Sequence, residues 1–166
     1  MKVNFTEHLE KGMEFLHTQG AFLTVKSGDK VNTMTISWGN VGYEWNRPIF
    51  TVLVRKSRYT YELIENSDNF TVSIPLSRNL KNALAVCGSK SGRDIDKFKE
   101  CNLTIEKSKN VDTPIIGDCE LHYECKIVYK QEMNPELLSK DIVDSSYKTG
   151  DYHTLYYGEI VETYIK

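Results

Sequence analysis

Val31-Asn-Thr-Met-Thr-Ile-Ser-Trp-Gly-Asn-Val-Gly-Tyr-Glu-Trp-Asn-Arg-Pro48 alternates small hydroxyl and bulky apolar residues, then breaks into a glycine-bearing loop with aromatics. Side chains on a strand alternate with period two, so Thr33, Thr35 and Ser37 share one face and Met34, Ile36 and Trp38 the other. The apolar face is expected to pack and the hydroxyl face to bind. That makes the strand one wall of a pocket for a flat ligand with a polar tail. Just upstream, Ala21 to Lys26 reads as a strand and Gly28-Asp-Lys as its turn, so the two strands form a hairpin.

Outward from this hairpin the chain continues in short strands. Phe5, Leu9, Met13 and Leu16 recur at helical spacing and predict an opening amphipathic helix ending before Gly20. Pro48 to Val54 reads as a third strand, Ser57 to Asn66 as a short helix capped at Ser57, and Phe70 to Ile74 as a fourth strand. Leu80, Ala83, Leu84 and Cys87 outline a further helix. Ser91 and Asp94, spaced as a capping box, open a helical turn running through Lys97 and Phe98. In Glu120 to Lys130, Leu121, Tyr123, Cys125, Ile127 and Tyr129 face one way, and the polar set with His122 and Glu124 is expected to face water. Asn134-Pro135 carries the start signals of another helix, and His153 to Ile165 reads as the last strand. Strands joined by hairpins, with only short helices between, imply a mainly β protein: a closed or nearly closed antiparallel barrel.

The 166 residues suit one domain, 1–166. With 21 Lys+Arg against 23 Asp+Glu and no dense basic block, a nucleic-acid partner is not expected. No apolar run has the length of a membrane span and the first ten residues lack a secretion signal, so a soluble, cytoplasmic protein is expected. Reduced cysteines are expected there, and Cys87, Cys101, Cys119 and Cys125 form no CxxC or metal-ligand spacing. Neither GxGxxG nor GxxxxGK[ST] occurs, which removes the Rossmann and P-loop readings.

Three clusters carry the candidate chemistry. Arg55, Ser57, Arg58 and Thr60 follow the third strand directly and combine two guanidinium groups with hydroxyls at a helix start, a composition suited to phosphate or to a plain capped surface helix. The second, Asn32 to Trp38 (Asn32, Thr33, Met34, Thr35, Ile36, Ser37, Trp38), offers hydroxyls for a ribityl chain and, from Met34 through Gly39, backbone donors and acceptors for a ring edge, as a flavin requires, the alternative being an ordinary solvent-facing strand surface. Of Trp38, Tyr43 and Trp45, one is expected to touch such a ring; the others serve core or dimer packing. The third is Ser91, Arg93 and Lys97: Lys97 is placed to neutralise negative charge on a reduced flavin, while Ser91 and Arg93 steady the ligand. The alternative is a capped surface helix. His153, just ahead of the final strand, is a candidate pocket residue; His8, His17 and His122 read as surface or semi-exposed, and Cys87 as a buried inert thiol.

The ordered blocks Asn32-Thr-Met-Thr-Ile-Ser-Trp-Gly39, Pro48, Val54-Arg-Lys-Ser-Arg-Tyr-Thr60, Gly88-Ser-Lys-Ser-Gly-Arg-Asp94 with Lys97-Phe98, and His153 before Tyr157-Gly-Glu-Ile160 resemble the flavin reductase-like, FMN-binding split-barrel family, in particular its flavoredoxin-like branch. The resemblance spans about residues 18 to 165. It implies an antiparallel Greek-key split β-barrel with short flanking helices that forms a homodimer and holds FMN noncovalently. It further implies electron transfer from NADH or NADPH through FMN to free flavin, a small molecule or a protein acceptor. Carried over, Asn32 to Ser37 flank the ring and ribityl chain, Arg55 to Thr60 hold phosphate, and Ser91 to Lys97 border the ring; Lys97 and His153 are the catalytic candidates. The alternative is an FMN-binding electron carrier or sensor without nicotinamide oxidase activity.

Overall fold

The computed structural model describes residues 3–166. Helix α1 (Leu9–Thr18) leads into β1 (Ala21–Ser27), β2 (Lys30–Ile36), β3 (Gly39–Glu44) and β4 (Arg47–Arg55). Then come α2 (Tyr59–Ile64), β5 (Asn69–Ile74), α3 (Lys81–Ser89), α4 (Lys97–Glu100) and the two-residue strands β6 (Ile105–Glu106) and β7 (Ile115–Ile116). The chain closes with β8 (Leu121–Glu132), α5 (Lys140–Ser146) and β9 (His153–Ile165).

Seven strands form one sheet in the order β2-β1-β5-β8-β9-β4-β3, and every pairing is antiparallel. β2 and β3 occupy opposite edges of that sheet, yet only Ser37 and Trp38 separate them in the chain. Three peptide links reach at most about 11 Å. The sheet must therefore curl until its two edges meet at this corner, without β2 and β3 pairing. That is a split barrel, as the sequence predicts.

Alternation fills both faces of the β2-β1-β5 portion. Inside the barrel, Leu23, Val25, Met34, Ile36, Phe50, Val52, Phe70, Val72, Tyr123 and Tyr156 make the main core, and Leu16 of α1 packs with them. On the outer face Phe22 packs with Ala83, Leu84 and Cys87 of α3 and with Leu103, Ile116 and Cys119. A ten-residue helix such as α1 is stabilised chiefly by this docking, since isolated helices so short are marginal in water.

Several local expectations change. Gly39–Glu44, read as loop, is edge strand β3. Ser57 does not cap α2; Arg58 precedes its first residue and no side chain caps it. The Ser91/Asp94 box does not form. Asp96 caps α4 instead, accepting from the N–H groups of Phe98 (3.1 Å) and Lys99 (3.2 Å). After Asn134-Pro135 only one 3-10 turn, Pro135–Leu137, forms, because the helical segment proper starts later, at Lys140. His122 and Glu124, expected to face water, are fully buried, because the segment 103–119 covers that face of the sheet. Among the described residues no helix is long and apolar enough to cross a membrane.

Candidate functional site

The split itself supplies the site. β2 pairs only with β1, so its other edge is open. β4 has β3 beside it only from Arg47 to Val52, leaving Leu53 to Arg55 with β9 alone. Between these two unpaired stretches lies a hollow of about 300 Å³, walled by Met34 to Trp38, Leu53, Arg55, Arg58 and His153. It runs on into a second hollow of about 170 Å³ that shares Met34, Arg55 and Arg58 and adds Asn32, Ser57, Thr60, Ser91, Arg93 and Lys97. The candidate ring-binding strand and the arginines therefore line one cleft.

How β2 addresses that cleft differs from the expectation. Two of the three hydroxyls on its hydroxyl face are engaged within the protein. Thr33 is fully buried, its hydroxyl donating to Leu23 O (3.2 Å) and accepting from Thr24 (3.1 Å). Thr35 donates to Leu84 O of α3 (2.5 Å). Met34 and Ile36 belong to the core. With both faces packed, the strand is left to present its edge, where N–H and C=O groups alternate in direction. The Lys97 ammonium donates to Thr33 O (2.9 Å) and to Cys87 O (2.8 Å), which shows that Thr33 O points off the open edge. Alternation turns the backbone groups of Thr35 the same way.

Lys97 is accordingly engaged. Burial holds its ammonium below the usual lysine range, and its two carbonyl partners tie α3 to β2. It braces the edge rather than standing free to meet charge on a ligand. Arg58 donates to Gly88 O (3.0 Å) in the last turn of α3, whose exposed carbonyls attract cations. Arg55 donates to Asp151 O (2.8 Å) and Ser146 O (3.0 Å) and lies 5.0 Å from the Tyr147 ring centre. Neither guanidinium has a carboxylate partner among the described residues. Arg93 does: it is paired with Glu62 and also donates to Ser57 O (3.3 Å). The Asn32 carboxamide donates to Thr60 Oγ1 (2.9 Å) in the second hollow, leaving the Thr60 proton unspent. Ser91 accepts from Arg93 N (3.1 Å). Gly92 is required there, since a Cβ would overlap the Asn32 carboxamide and come within 2.9 Å of the Tyr59 ring. With six residues, α2 adds little dipole, so the anion-attracting charge comes from the arginines.

His153 lines the first hollow at 9% exposure, its Nδ1 2.6 Å from Tyr147 Oη. Burial, helped by Arg55, pushes its pKa down to about 4, so it is neutral at physiological pH. The Trp38 ring, half exposed at the mouth, lies 5.5 Å from it. Trp38 is thus the aromatic at the cleft, while Trp45 packs on Tyr129 and Tyr157, and Tyr43 on Phe5. Cys87 is buried, which pushes its thiol up to about 12. Leu53, Tyr59, Ser89, Lys90 and Asp151 also line the cleft and were not singled out from sequence. Tyr59, Ser89 and Lys90 had a signal, standing inside the Val54–Thr60 and Gly88–Asp94 blocks; Asp151 had none.

An antiparallel split barrel with a cation-bearing cleft along its open edge defines the class of protein. The chain belongs to the flavin reductase like domain family, whose profile matches residues 13–166. An uncharacterised protein of Archaeoglobus fulgidus is 32% identical over 149 residues, 90% of this chain and 73% of that one. Among solved structures, flavoredoxin from Methanosarcina acetivorans matches with a TM-score of 0.70 at 25% identity, covering 89% of this chain and 68% of its own. The flavoredoxin of Desulfovibrio vulgaris (Miyazaki F) gives 0.70 at 26%, covering 90% and 70%.

Proposed function

We propose that this chain binds FMN noncovalently in the split and acts as an FMN-dependent oxidoreductase, taking electrons from NADH or NADPH and passing them to flavin or another acceptor. One observation carries the reading: the open edge of β2 and the cations Arg55 and Arg58 line a single cleft. Bound FMN would supply the reversible two-electron chemistry that no side chain here provides. The backbone groups of the β2 edge suit the alternating donors and acceptors of the ring. Arg58, Arg55 and the Ser57 and Ser91 hydroxyls suit the phosphate.

The chain's own contribution is positioning and exclusion of water. Lys97 holds the edge strand at its distance from α3, and Gly92 lets the 91–93 backbone close against Asn32. Neutral His153, fixed by Tyr147, walls the ring side without adding charge. Four free cysteines suit a reducing cytoplasm. A homodimer is supported by the exposed patch of Trp45, Val128 and Tyr129 beside Arg47, apolar surface that a second copy would cover.

Anaerobic mixing of the FMN-loaded protein with NADH or NADPH tests the reading. Bleaching of the flavin within seconds is expected. Likeness to flavoredoxins favours one second reading, an electron carrier, and reduction only by a protein donor would select it. Failure to retain FMN would remove both.

A further inference from the structure

The donors of Ser57, which face the phosphate end of the cleft, already have an occupant. Ser57 N–H donates to one oxygen of the Asp151 carboxylate (3.3 Å) and Ser57 Oγ to the other (2.7 Å), and Asp151 lines the same hollow as Arg55 and Arg58. Two acceptor oxygens thus sit on a hydroxyl and an N–H beside two guanidinium groups without carboxylate partners among the described residues. A phosphate tail would use the same arrangement.

The segment that delivers this carboxylate is weakly held. Residues 133–152 leave the sheet between β8 and β9, and Tyr147 is the one residue among them that is buried. The return is fastened by Arg55 to Ser146 O and Asp151 O, by Tyr147 to His153, and by the Asp151 carboxylate itself. Gly150 (φ 84°) and Asp151 (φ 42°) are both left-handed, a conformation that costs an aspartate more than a glycine. Few buried contacts and local strain mark a segment that opens at low cost.

We propose that Asp151 is an internal stand-in for the anionic tail of the ligand, and that it sets how tightly such a tail is held, because the tail must displace it; this rests on the cleft being the FMN site. Being tethered, the carboxylate is present at high effective concentration, so a competitor must offer more than one charge and two oxygens. A phosphate monoester does, with close to two charges and three acceptor oxygens. It takes over Ser57, and the 146–151 strap lifts away. A neutral tail leaves Asp151 in place. The cost of displacing Asp151 therefore falls on the phosphorylated form of the ring alone, so the residue loosens the hold on FMN and leaves that on riboflavin as it is.

Titrating wild type, Asp151→Asn and Asp151→Gly with FMN, riboflavin and inorganic phosphate tests this. Asparagine and glycine both accept a left-handed backbone, so neither substitution strains the turn. Both variants are expected to bind FMN and phosphate about tenfold more tightly, the scale of removing one nearby like charge, with riboflavin unchanged. In wild type, FMN and not riboflavin should speed amide exchange at 147–152. Unchanged or weaker FMN and phosphate binding by both variants would overturn the inference. Tighter phosphate binding without FMN binding by any of the three proteins would uphold the stand-in and remove the flavin reading.

Discussion

Two carboxylates in this molecule each accept from a hydroxyl and backbone N–H groups, and they have opposite fates. Glu124 of β8 is fully buried and accepts from Lys109 N (2.7 Å), Asn110 N (2.6 Å) and Tyr164 Oη (2.9 Å). Asp151 is partly exposed and, among the described residues, accepts from Ser57 alone, at 3.3 and 2.7 Å. Water competes at the second site and is shut out of the first. A carboxylate becomes permanent structure when burial removes its alternative and every donor is matched; otherwise it is a replaceable guest. The first pins the 108–113 loop to the sheet, and the second closes a strap over a cleft.

The strongest way to break this comparison is to remove Glu124. Glu124→Ala would leave two N–H groups and a tyrosine hydroxyl without their acceptor and is expected to cost about 3 kcal/mol or more of folding stability. Asp151→Asn, where water can replace the lost contacts, is expected to cost less than about 1 kcal/mol. Urea unfolding of the two variants side by side decides it. Comparable losses would mean that burial is not what separates the sites.

Acid offers the next largest effect, because each region holds a buried histidine. His122, with Nδ1 3.1 Å from Ser73 Oγ and its ring 5.3 Å from that of Tyr164, lies in the Glu124 region; His153 lines the cleft. Burial is the main cause that brings both from 6.5 down to about 4. Between those values the unfolded chain binds more protons than the folded one, so stability falls as pH drops from 6.5 to 4 and is fully present above 6.5. Each histidine contributes up to about 3 kcal/mol to that fall. His122→Phe should remove roughly half of the slope of stability against pH, as measured by urea titrations at stepped pH. An unchanged slope would show that His122 protonates without opening its region.

What was readable in the sequence follows from the same division between local and distant causes. The β1–β2 hairpin, α1, β4 and β9 follow from periodicity and turn residues, and the two arginines from local composition. β3 was hidden because Gly39-Asn-Val-Gly42 reads as loop, and only pairing with β4 makes it a strand. Period two separates the faces of β2 but says nothing of its edges, since being an edge depends on which strands pair elsewhere. Thr33 and Thr35 were therefore assigned to a ligand although they face the outer core and α3. His122 and Glu124 looked wet because the segment that buries them is recruited by tertiary folding. Asp151 was invisible for the same reason: it stands 94 residues from Ser57.

The smallest effect gives the sharpest comparison, because one chemical change can be made at both sites. Tyr164→Phe and Ser57→Ala each delete a single hydroxyl donor to a carboxylate, Glu124 in one case and Asp151 in the other. A hydrogen bond to a charged acceptor contributes about 1.5 kcal/mol or more where water is excluded, and much less where water can take over. Tyr164→Phe is accordingly expected to lower stability by about 1.5 kcal/mol and Ser57→Ala by no more than about 0.5 kcal/mol. The ranking should invert for amide exchange at 147–152, which Ser57→Ala speeds and Tyr164→Phe leaves alone. If Ser57→Ala destabilised the whole fold as much as Tyr164→Phe, the strap would be part of the cooperative core, and its carboxylate could not serve as a displaceable occupant.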